Sequence, residues 1–185
     1  MHALDAIREN PSVIAHAGGV FIMSIDAGQE GGCQCGAIRF RLLREPVALY
    51  ACHCQDCQKQ SSSAFGISMW VPEDDIEFTG EKPSVFGARG SSGREKFGAF
   101  CSGCGTRLYH WGGGIRTGKS RTLSVKAGTL DDTSNIMPTS HIWTRSAQPW
   151  LKPLLDLGLC YAAGPESGEA LMAQWRQAVS AEAKP

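Results

Sequence analysis

Seven of the eight cysteines fall in three short clusters. Cys33 and Cys35 form C-x-C. Cys52, Cys54 and Cys57 form C-x-C-x-x-C. Cys101 and Cys104 form C-x-x-C ahead of Gly105, and only Cys160 stands apart. Cysteines serving as buried hydrophobes would not cluster in this way. Eight cysteines in 185 residues are also too sparse for a disulfide scaffold. Thiolates at these spacings read as metal ligands, and a soft, tetrahedral sulfur set favours zinc. A Zn–S bond of about 2.3 Å places neighbouring ligands roughly 3.8 Å apart. Cysteines at i and i+2 of an extended strand share a face and can meet that distance. Cysteines at i and i+3 can meet it through a tight turn, which a glycine just after the second cysteine eases.

Seven thiols divide as four plus three. Gly31-Gly-Cys33-Gln-Cys35-Gly36 and Cys101-Ser-Gly-Cys104-Gly105 are Gly-flanked pairs from distant parts of the chain. Joined, Cys33, Cys35, Cys101 and Cys104 would close one structural zinc site that staples early strands to late ones. Cys52, Cys54 and Cys57 remain. Three protein ligands with a fourth position open is the pattern of a catalytic zinc. The count is then two zinc ions per chain. Two alternatives stay open at this point. His53, His110 or His141 could complete the triple as a second structural site, although His53 alternates with Cys52 and Cys54 and on a strand would point away. Cys54 and Cys57 could instead form a redox pair, but no βαβ pattern of the thioredoxin kind surrounds them.

The elements that must position these thiols are β-strands. Runs rich in β-branched and aromatic residues, punctuated by Gly, Pro or Asp, span Ala37–Leu43, Val47–Cys54, Ala64–Val71, Ile76–Thr79, Ser84–Ala88, Lys96–Phe100, Thr106–Trp111, Leu123–Ala127 and His141–Trp143. Their spacing predicts an all-β, mainly antiparallel domain. Ile38, Phe40 and Leu42 alternate with Arg39 and Arg41, as a half-buried strand requires. No strand–helix–strand rhythm points to a parallel α/β sheet. A short C-terminal helix is predicted over Glu169–Ala181, with Leu171, Met172, Trp175 and Val179 at helical spacing. The organisation expected is an N-terminal extension over 1–30, a two-zinc domain over 31–151, and a C-terminal tail with the helix over 152–185. Met23 offers an alternative translation start. Eighteen basic and eighteen acidic residues give no net charge, which argues against a nucleic-acid partner held by bulk charge. No apolar run is long enough for a membrane span, and residues 1–30 do not read as a signal peptide. A cytoplasmic, reducing location is the expectation.

The clusters and their flanks resemble the glutathione-dependent formaldehyde-activating enzyme family, which also contains centromere protein V. The resemblance covers about residues 31–151. It rests on Gly31-Gly-Cys-Gln-Cys-Gly-Ala-Ile-Arg-Phe40, Cys52-His-Cys-Gln-Asp-Cys-Gln-Lys59 followed by Ala64-Phe65, Phe100-Cys-Ser-Gly-Cys-Gly-Thr106, Ala127-Gly-Thr-Leu-Asp131, His141-Ile-Trp143 and Pro149-Trp-Leu151. It implies a zinc-stapled β-tent-like domain. The first and third clusters would hold the structural zinc and the middle cluster the catalytic zinc, which agrees with the division from spacing. It also implies the family reaction, in which glutathione and formaldehyde join as S-hydroxymethylglutathione, formally a carbon–sulfur lyase activity. Ser62 departs from the family pattern, which often has Gly there.

Zinc with three thiolates can take a fourth thiolate and hold it deprotonated at neutral pH, where a free thiol has a pKa near 8.5. The expected partner is therefore a small-molecule thiol, glutathione by the resemblance, added to formaldehyde or another small carbonyl. Asp56, inside the cluster turn, is the candidate acid–base residue, and Lys59 is the candidate for holding an anionic ligand. Both residue types are also common as turn or surface residues. His141 beside Ile142 and Trp143 reads as a packed histidine. Trp70, Trp143 and Trp150 read as core, and Cys160 as a buried or idle thiol. A zinc-stapled module that binds a protein or nucleic acid without catalysis is the alternative. A homo-oligomer is compatible with all of this.

Overall fold

Alternation builds the first sheet. In β2 (Ile38–Leu42) the apolar residues Ile38, Phe40 and Leu42 are buried, while Arg41 faces solvent. This strand pairs antiparallel with β1 (Glu30–Gly32) on one side and β5 (Ile76–Gly80) on the other. The computed structural model describes residues 25–182, apart from 90–92, 113, 115, 135, 157–158 and 166. Of the expected N-terminal extension, residues 1–24 with Met23 lie outside the described residues. Ile25 is buried in the core, and Glu30 opens β1.

The larger sheet is built from β3 (Ala48–Cys52), β4 (Gly66–Pro72), β6 (Ser84–Arg89), β7 (Glu95–Phe100), β8 (Arg107–Gly112), β9 (Arg116–Thr117), β10 (Ser120–Lys126), β11 (Ser140–Ile142) and β12 (Leu159–Tyr161). Its order is β12-β11-β3-β4-β10-β8-β7-β6, with β9 paired to β10. The architecture is mainly antiparallel, as the strand runs predict. The exception is one edge, where β11 lies parallel to both β3 and β12. Buried Phe40, Leu42, Leu49, Met69, Val71, Leu123 and Val125 form the main core.

Among the described residues three α-helices complete the fold: α1 (Gln55–Ser61), α2 (Lys152–Leu155) and α3 (Gly168–Glu182). The predicted stripe on α3 buries Leu171 and Trp175 against the sheet. Gly168 lets the helix start close to the Trp70 ring, which a Cβ would meet at 3.0 Å. Trp70 is buried as expected, but Trp150 is 66% exposed. Its indole N–H donates to Gln148 Oε1 at 2.6 Å instead of packing inside.

Two sequence motifs close on each other around β1. Gly31 bridges Leu130, and the Asp131 amide donates to the Glu30 carbonyl at 3.0 Å. Arg39 forms an ion pair with Asp131, its Nη1 donating to Oδ1 at 2.9 Å. A Cβ at Gly31 would collide with the Thr129 carbonyl and the Phe40 ring, so the close approach needs glycine.

Candidate metal centres

The first thiol group joins the two Gly-flanked pairs. The Cys33, Cys35, Cys101 and Cys104 sulfurs all lie within 4.8 Å of one another. Cys33 and Cys35 Sγ are 3.5 Å apart, and Cys35 and Cys101 Sγ are 3.7 Å apart. These spacings match the roughly 3.8 Å of a tetrahedral zinc–thiolate set. Two tight turns present the pairs. The Gly36 amide donates to the Cys33 carbonyl, and the Gly105 amide donates to the Cys101 carbonyl. Gly36 and Gly105 have φ of 79° and 76°, a backbone region that favours glycine. The Ile38 amide donates to Cys33 Sγ at 3.3 Å, so backbone dipoles already favour the thiolate there. Cys33 and Cys101 are buried with Ile38 and Leu108 in a small core of their own, while Cys104 is half-buried and Cys35 is exposed.

The second group is Cys52, Cys54 and Cys57, again within 4.8 Å. Cys52 ends β3. Cys54 is the N-cap of α1, where its Sγ accepts from the Cys57 amide at 3.4 Å. Cys57 follows in the first turn of α1 and is buried. Cys52 and Cys54 Sγ are 3.5 Å apart. Hydrogen bonds with Cys52 and Cys57 lower the Cys54 pKa, while hydrogen bonds with Cys54 and Cys57, then burial, raise that of Cys52. Three crowded thiols therefore share protons and cannot all ionise unaided. A divalent cation among them resolves that conflict, and the soft donor set suits zinc.

Among the described residues, neither a histidine nor a carboxylate joins the triple. His53 and His141 are occupied with each other. His53 Nε2 lies 3.0 Å from His141 Nδ1, and the rings stack at 5.3 Å. Burial, then the neighbouring His141, pushes the His53 pKa down to about 4, so the pair is neutral. His141 is thus the packed histidine expected of it. Gln58 braces the start of α1 by donating to the His53 carbonyl at 2.8 Å and the Ser146 carbonyl at 3.0 Å.

The triple lies where two clefts meet, since Cys54 and Cys57 line both. The first, about 200 Å³, is rimmed by Asp56, Lys59, Arg89, Lys96 and Arg107. The second, about 310 Å³, is walled by Tyr50, Trp70, Trp111, Ile142 and Trp143. Lys96 and His110 border both. Lys126 is buried beside the triple, with its Nζ 3.5 Å from Ser68 Oγ. Burial lowers its pKa, and the Cys57 and Cys52 thiolates raise it. Burial, then Lys126, Lys96 and Arg107, hold His110 well below its ordinary pKa, hence neutral.

The family model described as "Glutathione-dependent formaldehyde-activating enzyme" matches residues 28–146, a span that contains both thiol groups. The chain belongs to this family. An uncharacterised lyase of Schizosaccharomyces pombe is 34% identical over 80 residues, which are 43% of this chain and 55% of that protein. The chain thus spans about half the length of the curated relative it matches. A crystal structure of a Rhodobacter sphaeroides protein is similar at 20% identity, with a TM-score of 0.42, over 57% of this chain and 90% of that one.

Within this formaldehyde-activating family fold, Asp56 and Lys59 sit on α1 with exposed side chains that face the first cleft. Ser62, the departure from the family pattern, is the left-handed C-cap of α1, with φ 49° and ψ 38°. Glycine is the residue this conformation favours. Cys160 is exposed, not buried, and its Sγ donates to the Leu155 carbonyl at 3.1 Å. Sequence reasoning names His110 only as a possible ligand of the triple, and it misses Lys96, Arg107 and Lys126 around it. They come from β7, β8 and β10, and only strand pairing brings them to the triple.

Proposed function

We propose that the chain is a zinc-dependent carbon–sulfur lyase of the S-(hydroxymethyl)glutathione synthase kind, with two zinc ions per chain. In this reading Cys33, Cys35, Cys101 and Cys104 hold a structural zinc, and Cys52, Cys54 and Cys57 hold a catalytic one. The observation that carries it is the three-thiol group, with no fourth protein donor among the described residues, opening onto a cationic cleft. The family match and the lyase named in fission yeast support the same class.

Zinc bound at the triple would supply an activated thiolate at neutral pH. The chain's own residues do the rest. Lys59, Arg89, Lys96 and Arg107 hold the carboxylates of glutathione and draw the anion in. Buried Lys126 offsets the charge of the cysteine thiolates. When the glutathione sulfur adds to the carbonyl carbon, the C–S bond forms and the C=O π pair moves to oxygen. Asp56 passes the proton given up by the thiol to that oxygen. Thiolates persist in a reducing compartment, so the chain works in the cytoplasm. Among the described residues no helix is long and apolar enough to cross a membrane.

The test is the rate of S-hydroxymethylglutathione formation by zinc-loaded protein. Acceleration over the uncatalysed rate that is lost on zinc removal is the expected result. A rate equal to that of buffer overturns the reading.

Gly98 gives a further handle on the cleft. A Cβ there would collide with the Arg107 guanidinium, the far end of a flexible side chain. Gly98→Ala should therefore fold while displacing Arg107 from the cleft. Loss of one charge-assisted contact, about 1.5 kcal/mol or more, weakens glutathione binding roughly tenfold. Calorimetric titration of both proteins checks this, and an unchanged Kd would remove Arg107 from the binding set.

A further inference from the structure

The second cleft is larger than formaldehyde needs. It opens on the same Cys54 and Cys57 as the cationic cleft and shares Lys96 and His110 with it, but four aromatic residues line it as well: Tyr50, Trp70, Trp111 and Trp143. Tyr50 and Trp70 meet edge to face at 5.7 Å and 74°. Their polar ends are satisfied among themselves, because Trp70 Nε1 donates to Tyr50 Oη at 3.1 Å and Tyr50 Oη donates to Ser124 Oγ at 3.3 Å. These two side chains therefore present ring surface to the cleft, while the polar groups facing it come from Arg94, Lys96 and His110.

Trp143 adds an independent sign. Its backbone is left-handed, with φ 59° and ψ 35°. For so bulky a residue this is a genuine outlier, and such outliers gather at ligand clamps. The conformation is held from both sides. The Trp143 amide donates to the Ala163 carbonyl at 2.9 Å, and the Trp143 carbonyl accepts from the Ser146 amide at 3.0 Å. Arg145 lies over the ring at 4.7 Å from its centre. The fold thus spends backbone strain on aiming an indole into a cleft that adjoins the thiol triple.

We propose that the second cleft seats an aromatic group carried by the carbonyl partner, so that the preferred substrate is an aryl-bearing aldehyde. This rests on the lyase reading above, with glutathione in the cationic cleft and the aldehyde entering from the aromatic side. The covalent step is the same. The sulfur lone pair forms the C–S bond, the carbonyl π pair goes to oxygen, and the thiol proton ends on that oxygen, giving a hemithioacetal with no oxidant or reductant. The aryl group contributes binding energy remote from the reacting carbon, which orients the carbonyl against the sulfur. Edge-to-face contacts with Tyr50, Trp70 and Trp143 supply it.

Exchange NMR measures how fast zinc-loaded protein interconverts glutathione with its hemithioacetals, whatever their equilibrium position. Formaldehyde and phenylacetaldehyde are compared. The expected kcat/KM for phenylacetaldehyde exceeds that for formaldehyde by about tenfold, the scale on which an apolar pocket discriminates. Trp143→Ala, checked for zinc content and melting temperature, should bring the ratio close to one. Turnover of formaldehyde with a wild-type ratio at or below one overturns the proposal and leaves the lyase reading standing. A high ratio that Trp143→Ala does not lower overturns the assignment to this cleft. If neither aldehyde is turned over, the lyase reading fails, and tryptophan fluorescence with S-benzylglutathione and S-methylglutathione decides the cleft. About tenfold tighter binding of the benzyl compound, lost in Trp143→Ala, supports the aromatic seat; equal binding overturns it.

Discussion

Cys101→Ser is expected to leave the protein unfolded or protease-sensitive. Cys101 is fully buried and its sulfur lies 3.7 Å from that of Cys35, so it ties the β7–β8 turn to the segment before β2. A structural zinc contributes folding free energy on the order of 10 kcal/mol in small domains. The whole net stability of a domain is about 5–15 kcal/mol, so loss of one thiolate from this group removes most of it. A hydroxyl is a far weaker ligand for this borderline-soft metal and does not substitute. Thermal melting and limited proteolysis of the variant beside the wild type check this. A melting temperature within a few degrees of wild type would mean that the four-thiol group is not a structural staple.

Cys54→Ser is expected to do the opposite: to abolish activity and spare the fold. Cys54 is the N-cap of α1, with its sulfur accepting from the Cys57 amide. Serine is among the preferred N-cap residues, so the helix start survives the exchange. The four-thiol group shares no ligand with the triple and keeps its metal. Zinc content should fall from two ions per chain toward one. Replacing groups that merely orient metal ligands already costs about 10–100-fold, so loss of a ligand should cost at least about 100-fold in thiol-adduct formation. Elemental analysis, melting and turnover of the same preparation read all three. Melting losses as large as those of Cys101→Ser would make the triple a second structural site.

What was legible in the chain follows the range of the forces involved. Strand alternation is local, so the burial of Ile38, Phe40 and Leu42 and the whole run of central strands could be read directly. The stripe on α3 was equally plain, because Leu171 and Trp175 repeat at helical spacing and are buried there. The four-plus-three grouping of thiols emerged from spacing and flanking glycines, and the sulfurs do gather in those groups. The short helix α1 could not be read, because Gln55–Ser61 is polar apart from Cys57 and has no apolar period. Its anchors are the Cys54 cap and the Gln58 bonds to the His53 and Ser146 carbonyls. The parallel edge was equally hidden, since β11 and β12 are three-residue strands placed by tertiary pairing. The same holds for the cations around the triple. Lys96, Arg107 and Lys126 are ordinary residues of three separate strands until sheet register brings them together. Trp150 looked like core by type alone, yet it sits in a short 3-10 turn that faces solvent.

In the proposed reading the triple accepts an external thiolate as its fourth ligand and the four-thiol group does not. Cobalt(II) substituted for zinc reports this directly, because its sulfur-to-metal charge-transfer absorption grows with each added thiolate. On titration with glutathione, a saturable rise equal to one thiolate per chain is expected, absent in Cys54→Ser. A spectrum unchanged by saturating glutathione would contradict it.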